Sequence, residues 1–488
     1  MKRQILALAV VATATLLANA QAPEESEDVM LQGFYWDSQK ATSWVKLTNM
    51  ADDIGRSFTM IWLPPSASAE GGNEVGGNNV GYHPKQWNDQ NSCWGTAEQL
   101  KTLISTLHEN GVKVVADIVI NHRAGNTDWG NFTKDDFGEY GVYQLTADHI
   151  CSTDEMNTDP NAGSWNGKAT GAAETDPDSN WGGARDLDHS NAYVQADCKA
   201  YLNWLKGEFG YDGWRYDYCK GFRGQYVGIY NESSKPYLSV GEYWDGEYDK
   251  VAAWIEATGK QSTAFDFPGK YAALNNGLAA GNFSSMSWKE NYVTPRPAGM
   301  IHHANFNRYA VTFVDNHDTY RDGSKYTGDV LQAYAYLLSA PGIPCVFWPH
   351  WKNVSWKGSI EKMIKARKDA GITSQSDVEV TACDKYYECI AKGKKRDLIC
   401  RIGAKAPNTV PEGYEKVCAG DGWTYYMSIN SNATRLPKAD LDEDKKVEIY
   451  RLDGRLIEKT TVGKMNAVKT RGMCIVRVGG KSYKTVIK

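Results

Sequence analysis

Eight short runs of apolar, β-branched or aromatic residues recur between residues 29 and 349, and they restrict the possible folds more than any other feature. They read VMLQGFYW (29–36), FTMIWLPP (58–65), VKVVADIVI (112–120), GWRYD (213–217), YLSVGEYW (237–244), STAFDFP (262–268), YAVTFVDNH (309–317) and GIPCVFWP (342–349). Several are almost continuous hydrophobics, as expected of parallel strands buried on both faces. Helix-like segments lie between many of them. TAEQLKTLISTLHENG (96–111) has Thr96 as N-cap, apolar residues at helical spacing and Gly111 as its stop. SNAYVQADCKAYLNWLKGEFG (190–210) is another. Eight strands alternating with helices predict a (β/α)8 TIM barrel over residues 28–351.

One gap is too long for a helix alone. Residues 123–189 are rich in Gly, Asn, Asp and Trp, and predict a small irregular subdomain inserted after the third strand. From residue 352 the pattern changes to alternating segments such as YYECIAKG, RDLICRIG and TYYMSIN, which predict an antiparallel β domain over 352–435. A polar spacer, ATRLPKADLDEDK (433–445), leads to a last segment, 445–488, whose short strands and Gly turns predict a separate small β-sandwich.

The first 20 residues read as a signal peptide: Lys2 and Arg3, an apolar run, then Ala18-Asn19-Ala20. An exported protein is expected, mature from about Gln21, and no later stretch is apolar enough to span a membrane. Ten cysteines in an exported chain permit disulfides, with Cys383, Cys389, Cys400 and Cys418 the best placed. Cys219 and Cys345 sit in apolar stretches and suit buried thiols equally well. The net charge of -5, with no basic run, gives no footing for nucleic acid.

Active sites of such barrels lie at the C-terminal ends of the strands. There the third run ends in Asp117, Asn121 and His122; the fourth carries Arg215 and Asp217; the fifth ends in Glu242; the seventh in His317 and Asp318. Charge in an apolar strand is costly unless it is paired or used. Two carboxyl groups, one ionised beside an arginine and one holding its proton, are what retaining glycoside hydrolysis requires. Tryptophan and tyrosine, 17 and 28 in number, suit sugar stacking as well as core packing.

These residues lie in four motifs, DIVINH (117–122), GWRYDYCK (213–220), GEYW (241–244) and FVDNHD (313–318), which resemble those of the α-amylases of glycoside hydrolase family 13. LQGFYW, IWLPP, GYHP, DLDHSN, FDFPGK and PGIPCVFW extend the resemblance over roughly residues 28–430, closest to the plant and archaeal enzymes. It implies Asp217 as nucleophile, Glu242 as general acid/base and Asp318 as the third carboxylate. Arg215 would support the nucleophile, Tyr82 would stack on the sugar, and His122, His317 and Lys220 would hold it. It also implies a structural Ca2+ held by Asn121, Asp186 and the Gly221 carbonyl, with Asp176 or Asp178 a further candidate. The implied activity is endo-acting cleavage of α-1,4 bonds in starch- or glycogen-type glucans by a secreted monomer. Rival readings are an exo-acting maltooligosaccharide hydrolase or transglycosylase of the same family, and a catalytically dead glucan-binding surface protein. The segment VEIYRLDGRLIEK…GMCIVRVGGKSYKTVIK resembles the sorting domain of type IX secretion substrates, which implies use of that machinery.

Overall fold

The computed structural model describes residues 22–71, 80–173, 182–287, 298–321, 323–429, 444–451, 453–462, 464, 472–478 and 481–487. The expected signal peptide, Asp176 and Asp178, and most of the spacer 433–445 lie outside these residues.

Each of the eight apolar runs contains one strand: β1 (Met30–Gln32), β2 (Met60–Leu63), β3 (Lys113–Ile118), β4 (Gly213–Tyr216), β5 (Leu238–Gly241), β6 (Thr263–Phe265), β7 (Ala310–Phe313) and β8 (Ile343–Phe347). Neighbours pair in chain order, all parallel, and β8 returns to β1 to close the barrel. Apart from Lys113, every strand residue is buried, which is why the runs carry little alternation. The register sets Arg215 of β4 directly between Asp117 of β3 and Val240 of β5.

The helix Ala97–Glu109 starts where its sequence predicts. Thr96 accepts from the Gln99 amide, and the Gln99 side chain accepts from the Thr96 N–H, a reciprocal cap. Gly111, at φ +72°, turns the chain out in the left-handed region. Leu100, Leu103, Ile104 and Leu107 form the buried stripe.

The insert is irregular as expected. Its described residues hold only two-residue strands and short 3-10 turns. Both of its ends are pinned beside β3, because His122–Arg123 pairs antiparallel with Arg185–Asp186. Inside it, the buried ion pair Arg123–Asp135 lies against the Trp87 ring, 4.7 Å from the Arg123 carbon to the ring centre.

After the barrel, five antiparallel strands (Val378–Cys383, Tyr387–Lys392, Asp397–Ile402, Tyr414–Gly420, Trp423–Ser428) form one sheet in the order first, second, third, fifth, fourth. Its central strand, Asp397–Ile402, is buried throughout. The sheet packs on the barrel helix Val330–Ser339, where the Tyr425 hydroxyl donates to the Ala335 carbonyl at 2.5 Å. Barrel and sheet share one apolar core.

The last segment departs from expectation. Lys446–Tyr450, Leu456–Thr461, Gly472–Val478 and Lys481–Ile487 form a single four-stranded sheet among the described residues, where two packed sheets were expected. Val447, Ile449, Cys474, Val476 and Val478 cluster apart from the main core.

The ten cysteines, which permitted disulfides without fixing a pairing, are all free thiols. Cys383 and Cys418 sit on opposite edge strands of the five-stranded sheet, too far apart in strand order to pair. Cys389 and Cys400 do face each other across neighbouring strands, but as thiols, with Cys400 Sγ donating to the Ala335 carbonyl at 3.4 Å.

Candidate active site

Arg215 is the hub of the barrel mouth. It is fully buried, and its guanidinium meets three carboxylates: Nη1 lies 2.8 Å from Asp117 Oδ1 and 2.7 Å from Asp217 Oδ1, and Nη2 lies 2.6 Å from Glu242 Oε1. Alternation along β4 carries Arg215 and Asp217 to the same side. The pairing with β3 supplies Asp117, and the start of the β5 loop supplies Glu242. Burial alone would depress Arg215, but the carboxylates of Asp117, Glu242 and Asp217 raise its pKa well above the ordinary arginine value. One permanent cation therefore organises all three acids.

Glu242 is held differently from Asp217. Its second oxygen accepts from the Tyr218 N–H at 3.0 Å. Tyr218 sits at φ +42°, a left-handed conformation uncommon for a bulky residue, directly after Asp217. That turn aims the amide back at Glu242. Burial, reinforced by the charges of Asp217 and Asp318, raises the Glu242 pKa well above the ordinary carboxylate range, with Arg215 opposing. Two carboxyls on one guanidinium thus have unlike environments.

Asp318 stands at the open side of the site. Its Oδ1 accepts from the Trp36 indole N–H at 2.9 Å, and its Oδ2 lies 3.3 Å from His317 Nε2. The Arg321 guanidinium lies over the Trp36 ring, 4.9 Å from its centre.

A hydrogen-bond chain fixes His317. Gln32 Nε2 donates to His317 Nδ1 at 3.0 Å, so Nε2 carries the ring proton and faces the Tyr82 hydroxyl at 2.7 Å. Tyr82 in turn donates to Asp117 Oδ2 at 2.8 Å, which also accepts from the Trp62 indole at 3.0 Å. Burial pulls the His317 pKa well below its ordinary value, so the ring is neutral. Tyr82 and His317 stack at 5.3 Å with planes 11° apart.

His122 is neutral too, its pKa pulled by burial down to about 4. Asn121 Nδ2 lies 3.1 Å from Nδ1, and Nε2 donates to the Tyr82 carbonyl at 2.8 Å. Its ring N–H is engaged with backbone, so holding a sugar hydroxyl would require exchanging that bond. Lys220 lies beside the Trp244 carbonyl and Asp245, at 3.2 and 3.3 Å.

The residues expected to hold a cation come together. Asn121 Nδ2 donates to Asp186 Oδ1 at 3.2 Å, and a Cβ at position 221 would fall 2.0 Å from Asn121 Oδ1. Only glycine lets that oxygen lie against the backbone there. Asp154, Glu155 and Asp186 each offer an oxygen within 4.8 Å of one another. Asp154 and Glu155 are both paired with Arg185, at 3.0 and 2.5 Å. The set is oxygen-only, which suits a hard cation such as Ca2+.

Sequence reasoning passed over Gln32, Trp36, Trp62 and the Tyr218 amide. The first three stand in apolar runs where each reads as packing, and a backbone amide has no sequence signal. Asp117, at the end of the third run, is a direct partner of Arg215. Trp94 is fully buried, with its indole donating to the Val80 carbonyl at 3.3 Å.

Residues 52–349 match the family described as alpha amylase, catalytic domain. A probable alpha-amylase 2 of Arabidopsis thaliana is 30% identical over 406 residues, 79% of this chain and 90% of the relative. The chloroplastic alpha-amylase 3 of the same plant is 31% identical across 81% of this chain, which spans only 43% of that longer protein. A glucan 1,4-alpha-maltotetraohydrolase of Stutzerimonas stutzeri is 25% identical over 80% of the chain. Among solved structures, an alpha-amylase from Malbranchea cinnamomea shares the fold over 95% of this chain, with a TM-score of 0.57 at 15% identity. The chain belongs to the alpha-amylase family, glycoside hydrolase family 13, and is a glycoside hydrolase.

Proposed function

We propose that this enzyme cleaves internal α-1,4-glucosidic bonds of starch- or glycogen-type glucans with retention of anomeric configuration. The single observation that carries the reading is the shared guanidinium: Asp217 and Glu242 both sit on Arg215, yet only Glu242 also accepts a backbone amide and is flanked by Asp217 and Asp318. In the first step Glu242 gives its proton to the glycosidic oxygen. Asp217 attacks the anomeric carbon, the C–O bond to the departing chain breaks, and a glycosyl ester forms on Asp217. In the second, Glu242 takes a proton from water, the hydroxide oxygen bonds to the anomeric carbon, and the ester bond to Asp217 breaks. The hydroxyls of the distorted sugar fall to Asp318, with neutral His317, His122 and Tyr82 lining the cleavage point and Lys220 the departing side.

Asn121, Asp186 and the Gly221 carbonyl would hold Ca2+ and tie the insert to β4 and β3. The ion supplies charge neutralisation and rigidity. The N-terminal and C-terminal segments support a secreted enzyme carried by type IX machinery.

The similarity to maltotetraohydrolases favours a second reading, exo-acting release of short maltooligosaccharides. Products from long amylose, sampled early, separate the two. Endo cleavage gives a broad spread of chain lengths, whereas one dominant short product would overturn it. Starch binding without any new reducing ends would remove the enzymatic reading altogether.

A further inference from the structure

The ring of His317 is enclosed by aromatic side chains: Phe34, Trp36, Trp62 and Tyr82 lie 5.0, 5.5, 5.5 and 5.3 Å from its centre. The charges that bear on it are Arg215 and Asp217 at the end of β4 and the neighbouring Asp318. Its Nδ1 meets Gln32, the last residue of β1, whose Nε2 lies 3.0 Å away. Gln32 is paired in register with Trp62 of β2 and Phe347 of β8 and is 1% exposed. Packing does not account for it. Its Oε1 is also buried and has no hydrogen-bond partner among the described residues. An amide buried half-satisfied costs more than a methionine or leucine of similar size. What the amide supplies, and those residues do not, is a donor to Nδ1.

The other ring nitrogen faces the open site. His317 Nε2 lies 2.7 Å from the Tyr82 hydroxyl and 3.3 Å from Asp318 Oδ2. Tyr82 gives its own proton to Asp117 Oδ2 at 2.8 Å, which leaves the hydroxyl oxygen as an acceptor. With the ring proton on Nε2, each of these contacts sets a donor against an acceptor. With the proton on Nδ1, two donors would meet at 3.0 Å, and the Nε2 lone pair would face the Asp318 carboxylate at 3.3 Å.

We propose that Gln32 is a positioning residue for the hydrolytic site: by donating to Nδ1 it fixes His317 as the neutral ring with its proton on Nε2, so that a glucosyl hydroxyl arriving beside Asp318 meets one donor and one acceptor. The bond made at one imidazole nitrogen sets the role of the other, and Gln32 acts only through that ring. The identity of the hydroxyl rests on the glucan-hydrolase reading; the tautomer does not.

Nitrogen NMR of the full chain carrying 15N-labelled histidine reads the tautomer without any substrate, with the His317 signals identified by their loss in His317→Ala. The expected result near neutral pH is a protonated Nε2 and a bare Nδ1. A proton on Nδ1, or an equal mixture of the two forms, would overturn the proposal. Gln32→Met keeps the volume and removes the donor. In this variant, shown to be folded by its melting temperature, kcat on maltooligosaccharides should fall about tenfold to a hundredfold with KM little changed, the scale of loss when a partner that orients a functional histidine is removed. Added to His317→Ala, the same substitution should cost nothing further. Unchanged kcat in folded Gln32→Met, or an equal loss with and without the His317 ring, would overturn it. Absence of new reducing ends with the wild type would instead strike the glucan-hydrolase reading, while the tautomer measured on the same preparation still decides whether Gln32 holds His317.

Discussion

Arg215 carries more than a counter-ion for the proposed nucleophile. It binds Asp117 and Glu242 as well as Asp217, so the acids that share it are told apart by their other neighbours. Glu242 is pushed up by burial and by the charges of Asp217 and Asp318. A general acid raised in this way loses activity as pH rises through its pKa. Removing the Asp318 charge removes one cause of the raised value. The alkaline limb of kcat/KM against pH should therefore move to lower pH in Asp318→Asn, measured on the residual activity; an unmoved limb would deny Glu242 the acid role. The motif residues were legible because a charge that ends an apolar strand is costly unless a partner or a reaction uses it. Gln32 and Trp62 were not, because a residue inside such a run looks like packing until its hydrogen bond to His317 or Asp117 is seen.

At the level of elements, buried parallel strands wrote themselves into the chain as apolar runs, and all eight barrel strands fell within the expected segments. The insert did not, since its order comes from long-range pairs such as Arg185 with Asp154 and Glu155, which leave no periodicity. The helix Ala192–Trp204 hides a similar case. Asp197 is fully buried with neither oxygen hydrogen-bonded, and burial raises its pKa to about 8. Below the ordinary carboxylate pKa both folded and unfolded chains hold the proton, so the group has no effect on stability. Above it the unfolded chain ionises first, and folding becomes progressively less favourable until pH reaches about 8. Asp197→Asn should accordingly melt higher than the parent at pH 8 and match it at pH 4 in scanning calorimetry. A difference of equal size at both pH values would contradict the assignment. Gly221→Ala should lower thermal stability through the clash with Asn121 Oδ1, and should abolish any Ca2+-dependent increase in melting temperature.

Across the whole molecule, the barrel and the five-stranded sheet share one core while the last sheet keeps a small core to itself. That division predicts that truncation after Ile429 leaves the hydrolytic rate and the main melting transition unchanged; a large drop in either would show that the last segment supports the barrel. If that segment is a sorting signal, mass spectrometry of secreted protein should find both termini removed. A cation bound only to the folded chain stabilises it by mass action, so EDTA should lower the melting temperature and added Ca2+ restore it. An unchanged value, with the protein verified free of metal, would remove the calcium proposal. The cysteines show where whole-chain reasoning stopped: spacing suggested four candidates, but strand order decides which can meet, and it sends Cys383 and Cys418 to opposite edges.

The proposed mechanism stands or falls on Asp217, held by Arg215, as the group that becomes covalently attached to the sugar. Trapping the enzyme with a slowly turned-over fluorinated α-glucosyl fluoride, followed by peptide mapping, tests this directly. The expected result is one glycosyl adduct, on Asp217, with the α-anomer released on turnover. An adduct on Glu242 or Asp318, or no adduct together with release of the β-anomer, would contradict it.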